Sequence, residues 1–175
     1  FYTHKTPHAM LRSLVGSEMC IRDRDEDALP TQLYLSTNAA DYESFLKINR
    51  PRYDDSWERW NRTLKMLSTL DTRTVLRLTL IRGYNDNEEM IPAFASLLQK
   101  SNVHFVEIKS YMHIGRSTNR LEYSDMLEMD EVRSFANKLA QENSAFTVMD
   151  ESEISRIVIL QNKKRFMDRF IPAYC

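Results

Sequence analysis

Hydrophobic positions along the chain switch between a period of two and a helical period several times, and the longest period-two stretch is Thr72 to Asn85, T-R-T-V-L-R-L-T-L-I-R-G-Y-N. Leu76, Leu78 and Leu80 fall on one face, with Val75, Arg77, Thr79 and Ile81 on the other, an alternation that predicts a β-strand. Gly83 and Asn85 supply the turn chemistry that ends it. A strand set between helical segments is expected to be apolar on both faces, so Arg77 and Thr79 are out of place. Either that face is solvated at a sheet edge, or it lines a barrel or cleft where a ligand meets the polar groups.

The same reading carries through the rest of the chain. Thr31 to Thr37 is a short strand after Pro30, and Asp41 to Ile48 a short helix with Tyr42, Phe45 and Leu46 on one face. Asn49-Arg50-Pro51 breaks that helix, because the residue before proline avoids helical geometry. A second helix begins at Asp54 or Asp55, with Glu58 placed for a capping box from Asp55. Its Trp57, Trp60, Leu64 and Leu67 recur at helical spacing and are expected in the core. A helix over Asp86 to Lys100 follows, with Pro92 in its first turns or at a kink. His104 to Met112 is a strand with Val106 and Ile108 on one face and Phe105, Glu107, Lys109 and Tyr111 on the other. A polar loop leads to a helix over Asp130 to Glu142, whose apolar stripe is Val132, Phe135, Ala136, Leu139 and Ala140. Strands at Phe146 to Met149 and Arg156 to Leu160 precede a basic tail. Strands alternating with helices predict parallel β-α-β units with right-handed crossovers. The class is α/β, with too few strands to close an eight-stranded barrel.

Leu14 to Asp23, L-V-G-S-E-M-C-I-R-D, resembles a translated sequencing adapter, so residues 1–24 are set apart as an artefact and 25–175 taken as the natural domain. The composition of the full 175 residues is that of one soluble domain or a piece of one: 42% hydrophobic, net charge −1, and no apolar run long enough to cross a bilayer. Three glycines are too few for glycine-rich phosphate loops to be the main binding device. The two cysteines, Cys20 and Cys175, form no C-x-x-C or Cys/His cluster, so no metal site is written from them. So few cysteines also fit a reducing, cytoplasmic setting.

Candidate chemistry gathers where three strands end. Ser36 and Asn38, Arg77 and Thr79, then Glu107 and Lys109 each put polar groups on one face near a strand's carboxyl end, where α/β folds bind ligands. Arg77 offers a planar fork to a carboxylate or phosphate; the plain alternative for Glu107 and Lys109 is that they pair with each other. Arg50, Arg52, Arg116 and Arg120 stand in loops after strands, where they suit nucleic acid or serve only solubility. His104 and His113 lack metal-ligand spacing and read as packing or surface residues.

Six stretches add a resemblance: T-Q-L-Y-L-S-T-N-A, K-I-N-R-P, W-E-R-W-N-R-T-L, the long strand with its turn, F-V-E-I-K-S-Y-M and E-S-E-I-S-R-I-V. Together, over roughly Leu29 to Leu160, they resemble the tRNA 4-demethylwyosine synthases, a radical S-adenosylmethionine family; the G-R-S-T-N-R-L loop leans toward its archaeal form. The resemblance implies the C-terminal half of a partial (β/α) barrel with mostly parallel strands. It implies pyruvate and a tRNA bearing N1-methylguanosine as substrates, and S-adenosylmethionine with two 4Fe–4S clusters as cofactors. The cluster thiolates would lie before Leu29, so the chain alone is expected to be inactive and to lack the other half of its barrel. Carried onto this sequence, Ser36, Asn38, Arg77 and Thr79 would hold S-adenosylmethionine. Lys109 and Glu107 would be catalytic, with Lys109 as Schiff-base former, and Arg50, Arg52, Arg116 and Arg120 would grip tRNA phosphates. The family more often has Asp at the position of Asn38. Two other readings stay open on the residues alone: a Schiff-base lyase or aldolase half-barrel using Lys109 and Glu107, and a non-catalytic RNA-binding module.

Overall fold

The computed structural model describes residues 29–171; the adapter-like stretch lies outside them. Five strands form one sheet in the order β1-β2-β3-β5-β4: β1 (Gln32–Ser36), β2 (Arg73–Leu80), β3 (Phe105–Ser110), β4 (Phe146–Ser152) and β5 (Ile157–Asn162). β1, β2 and β3 are parallel neighbours, as the β-α-β pattern predicts. β4 and β5 depart from it. They form an antiparallel hairpin, and β5 pairs antiparallel with β3. Only the short turn around Arg156, in the left-handed conformation at φ 49, joins them, and a hairpin needs no helical crossover.

Among the described residues four α-helices connect or follow the strands: α1 (Tyr42–Asn49), α2 (Ser56–Met66), α3 (Ile91–Ser101) and α4 (Met129–Glu142). Asp41 caps α1 by accepting from the Ser44 amide at 2.9 Å, and Arg50 ends it in the left-handed conformation. The expected capping box at Asp55 is absent, because that carboxylate pairs with Arg59 one turn on, at 2.7 Å. Pro92 sits in the first turn of α3, where its missing N–H costs nothing, so the helix is not kinked. α4 starts at Met129 with a capping box between Glu128 and Glu131.

The main core lies between one face of the sheet and α2, α3 and α4. Leu76, Leu78, Leu80, Val106, Ile108, Val158 and Leu160 supply the sheet side; Leu64, Phe94, Leu98, Val132, Phe135 and Leu139 supply the helices. Each fully buried side chain of this size stabilises the fold by about 1.5–3 kcal/mol. The tryptophans are not deep core. Trp57 and Trp60 stack at 5.2 Å over Phe45 of α1, both only half-buried, while α2 reaches the core through Leu64 and the Leu67 that follows it.

The opposite face carries Tyr34, Arg73, Arg77, Thr79, Glu107 and Lys109. At its amino-terminal end the segment after β5 crosses it. Arg73 donates to the main-chain oxygens of Arg169 and Phe170, both at 3.1 Å, and of Asp168, and its guanidinium lies 4.9 Å from the Phe105 ring. The carboxyl end of the same face is left to the cleft described next.

Candidate active site

Strand register sets this site out in rows. Ser36, Arg77 and Glu107 are partners across β1, β2 and β3, and Thr79 and Lys109 are partners one row nearer the strand ends. Because residues two apart share a face, both rows look the same way.

In the first row Arg77 and Glu107 join. The Arg77 Nε donates to Glu107 Oε1 at 2.7 Å and a terminal nitrogen reaches Oε2 at 3.4 Å, while the Tyr34 ring lies 4.3 Å from the guanidinium carbon. Glu107 therefore pairs with Arg77 and not with Lys109, two residues along its own strand. The carboxylate is nearly buried and Arg77 half-exposed, with side chains 10% and 39% accessible. Burial and the Glu107 charge push the Tyr34 phenol above its usual range. Ser36 is exposed beside this group, and its carbonyl accepts from the Trp60 indole at 3.2 Å.

Above the second row the chain is locked by a residue whose importance its turn-forming type alone does not convey. Asn85 is fully buried. Its Oδ1 accepts from the Ile81 amide at 2.6 Å, and its Nδ2 donates to the carbonyls of Asn38 at 2.8 Å and Thr79 at 2.9 Å. Asn38 in turn accepts from the Thr79 amide at 3.3 Å. Two asparagines thus tie the end of β1 to the end of β2 and satisfy backbone groups that the ladder leaves behind. A small apolar cluster of Ile48, Ile81, Tyr111, Leu121 and Met126 packs alongside.

These parts enclose a cleft of about 420 Å³ at the carboxyl ends of the parallel strands. Asn38, Arg77, Thr79 and Lys109 line it together, joined by Arg50 and Arg120 from the loops and by Lys47, which sequence reasoning passed over. Lys47 lies on α1 with its ammonium 4.8 Å from the Tyr84 ring. The cationic residues of the lining are Lys47, Arg50, Arg77, Lys109 and Arg120, and none of the described lining residues is Asp or Glu. Such a surface favours anions: a carboxylate, a phosphate, or both. Ser36, Glu107, Arg52 and Arg116 are not in the lining. Arg52 reaches toward the Tyr53 ring, 5.9 Å away, and Arg116 stands on the short 3₁₀ turn Gly115–Asn119.

The histidines have structural surroundings. His104 is buried, its Nδ1 accepting from the Thr74 amide at 3.1 Å, and burial holds its pKa down at about 4. His113 packs edge-on between the rings of Tyr111 and Tyr123. Among the described residues no group of three His, Cys, Asp or Glu is placed to hold a metal, and no helix is long and apolar enough to cross a membrane.

A family model described as wyosine base formation matches residues 100–162. A curated S-adenosyl-L-methionine-dependent tRNA 4-demethylwyosine synthase from Methanocaldococcus jannaschii is 42% identical over 153 residues, covering 87% of this chain and 47% of that protein. The Homo sapiens protein of the same name, TYW1, is 33% identical over 135 residues, covering 77% of this chain and 18% of its own. Among solved structures, TYW1 with a lysine–pyruvate adduct bound superposes with a TM-score of 0.73 at 40% identity, over 87% of this chain and 46% of that one. An archaeal TYW1 gives 0.64 at 37% identity, over 84% and 45%. The chain spans about half the length of these archaeal relatives.

Proposed function

We propose that this chain, a relative of the tRNA 4-demethylwyosine synthases in sequence and in fold, forms the substrate-side wall of an S-adenosylmethionine-dependent enzyme that builds 4-demethylwyosine on tRNA from pyruvate. The observation that carries this reading is the cationic lining of the cleft, placed where three parallel strands end. Pyruvate brings a carboxylate, S-adenosylmethionine another, and tRNA its phosphates. All suit a surface whose charged lining residues are Lys and Arg.

Lys109 and Arg77 divide the keto acid between them. Arg77 is pinned by Glu107 through Nε and one terminal nitrogen, and its remaining terminal nitrogen is the group it offers to a carboxylate. The Lys109 amine, one row nearer the strand ends, adds to the keto carbon, and loss of water leaves an imine. Glu107 is in this reading a positioning residue for Arg77 rather than the acid or base. Asn38 and Thr79 fit the hydroxyl and amino-acid groups of S-adenosylmethionine, which when bound supplies the carbon-centred radical. The two cysteines of the sequence are fewer than one 4Fe–4S cluster's usual ligand set. The residues present therefore do not fit a cluster, and its thiolates belong elsewhere in the working enzyme. Arg50 and Arg120 at the rim, with Arg52 and Arg116 beyond it, serve the tRNA backbone. A cytoplasmic setting fits such oxidation-sensitive chemistry.

Borohydride reduction in the presence of pyruvate, followed by peptide mass mapping, tests the central assignment. The expected product is a reduced adduct on Lys109, lost in Lys109→Arg and retained in Lys47→Arg. An adduct found on Lys47 instead, or spread evenly over surface lysines, removes Lys109 from the mechanism.

A further inference from the structure

Three rings run outward from the cleft. Tyr111 is buried in its wall; His113 meets it edge-on at 6.2 Å and 87°, and Tyr123 meets His113 at 6.2 Å and 73°. Tyr123 is 70% exposed. A lone exposed tyrosine is ordinary, but this one starts from a tied-down backbone and its ring meets His113. It opens the 3₁₀ turn Tyr123–Asp125, closed by reciprocal caps between Glu122 and Asp125. Arg82 fastens that turn from below, its Nε donating to the Ser124 carbonyl at 3.0 Å and its amide to the Asp125 carbonyl at 2.9 Å. An aromatic group on so fixed a backbone loses less freedom when something stacks on it than one on a loose loop.

We propose that Tyr123, braced by His113, is a stacking platform for an unpaired RNA base next to the one that enters the cleft. The proposal rests on the tRNA reading above and adds a contact to it. A base that leaves its stack to reach a pocket strips its neighbour of a stacking partner, and a fixed aromatic ring replaces that partner for any base. Charge points to RNA as the occupant. Arg120, three residues before the platform, lines the cleft, and Arg116 lies on the turn that Arg120 ends. The nearest carboxylates on the chain, Glu122 and Asp125, are each engaged by a backbone amide of the turn, Asp125 accepting from the Glu122 amide at 2.8 Å.

The test uses an anticodon stem–loop RNA carrying 2-aminopurine on either side of the target guanosine, titrated with the chain. Stacking on Tyr123 quenches one of the two probes. Tyr123→Ala is expected to abolish that quench and weaken binding roughly tenfold, whereas Tyr123→Phe keeps both. Since the side chain is mostly in solvent, the alanine variant folds normally. If Tyr123→Ala binds as tightly as the unaltered chain and still quenches, the platform is wrong and the tRNA reading stands. If the unaltered chain shows no salt-sensitive affinity for the stem–loop, both are overturned.

Discussion

Arg77 and Glu107 face one another as register partners on adjacent parallel strands, 2.7 Å apart, yet only the arginine has substantial access to water. That asymmetry governs what each contributes. Removing Arg77 strands a nearly buried carboxylate, whereas neutralising Glu107 leaves a guanidinium that water can still reach. Arg77→Met is therefore expected to cost about 2–3 kcal/mol of folding stability and Glu107→Gln about 1 kcal/mol or less. Urea unfolding of the two variants decides it; equal losses would show that the carboxylate is not the vulnerable partner.

Asn85 is expected to be the costliest polar position at the cleft. Asn85→Ala leaves the Ile81 amide and the Asn38 and Thr79 carbonyls without their partner, a loss of about 3 kcal/mol. Asn85→Asp keeps the acceptor but turns a negative charge on two carbonyl oxygens. Near neutral pH it should be at least as damaging, with part of the loss recovered on acidification. Thermal unfolding at two pH values separates the variants, and a stable Asn85→Asp protein would contradict the donor assignment.

Much of this was legible in the sequence, and the misses have physical causes. The alternation around Arg77 located β2 and its polar face, and the strand-end positions of Asn38, Thr79 and Lys109 brought them into one cleft, because period two leaves a side chain only two directions. Pairing direction is not encoded in that period, so the two strands after the last helix carry no sequence signal for the antiparallel hairpin they form. By sequence Asn85 is turn chemistry only, since nothing local announces that an asparagine will satisfy three backbone groups brought together by folding. Helical spacing likewise fixes a shared stripe and not its depth: Trp60 packs at the edge of the main core, and Trp57 meets Phe45 and Tyr42 instead. Lys47 escaped notice because its helix joins the cleft only once the chain has folded back.

His104 makes acid stability partly a local matter. Between about pH 6.5 and about pH 4 the unfolded chain takes up a proton on this residue that the folded chain refuses. Its contribution to stability is thus unchanged above that window, falls as the pH drops through it, and levels off below, at a total of up to about 3 kcal/mol. His104→Asn retains an acceptor for the Thr74 amide without the titration. The gap between the stability curves of wild type and variant should narrow or reverse from pH 7.5 to 5; curves that stay parallel would place the acid sensitivity elsewhere.

Arg73 is expected to control the order of the last described segment. Arg73→Met keeps an apolar stem against Phe105 but releases the carbonyls of residues 168–170. Brief trypsin treatment should then cut after Lys163, Lys164 or Arg165 faster than in the unaltered chain, with cleavage inside the sheet unchanged. An unaltered cleavage rate would mean that the other contacts hold the segment without Arg73: Gln161 on the Met167 carbonyl at 2.9 Å, the Arg169–Asp150 pair, and Arg165 on the carbonyls of Leu67, Leu70 and Asn102.

Because Arg73 recognises only peptide oxygens, the clasp is indifferent to which side chains pass beneath it. Every amino acid, proline included, carries the acceptor it needs. Side chains at 168–170 can therefore change without loosening this clasp, although Arg169 also pairs with Asp150. A strand-borne cation of this kind separates the path of a chain from its spelling.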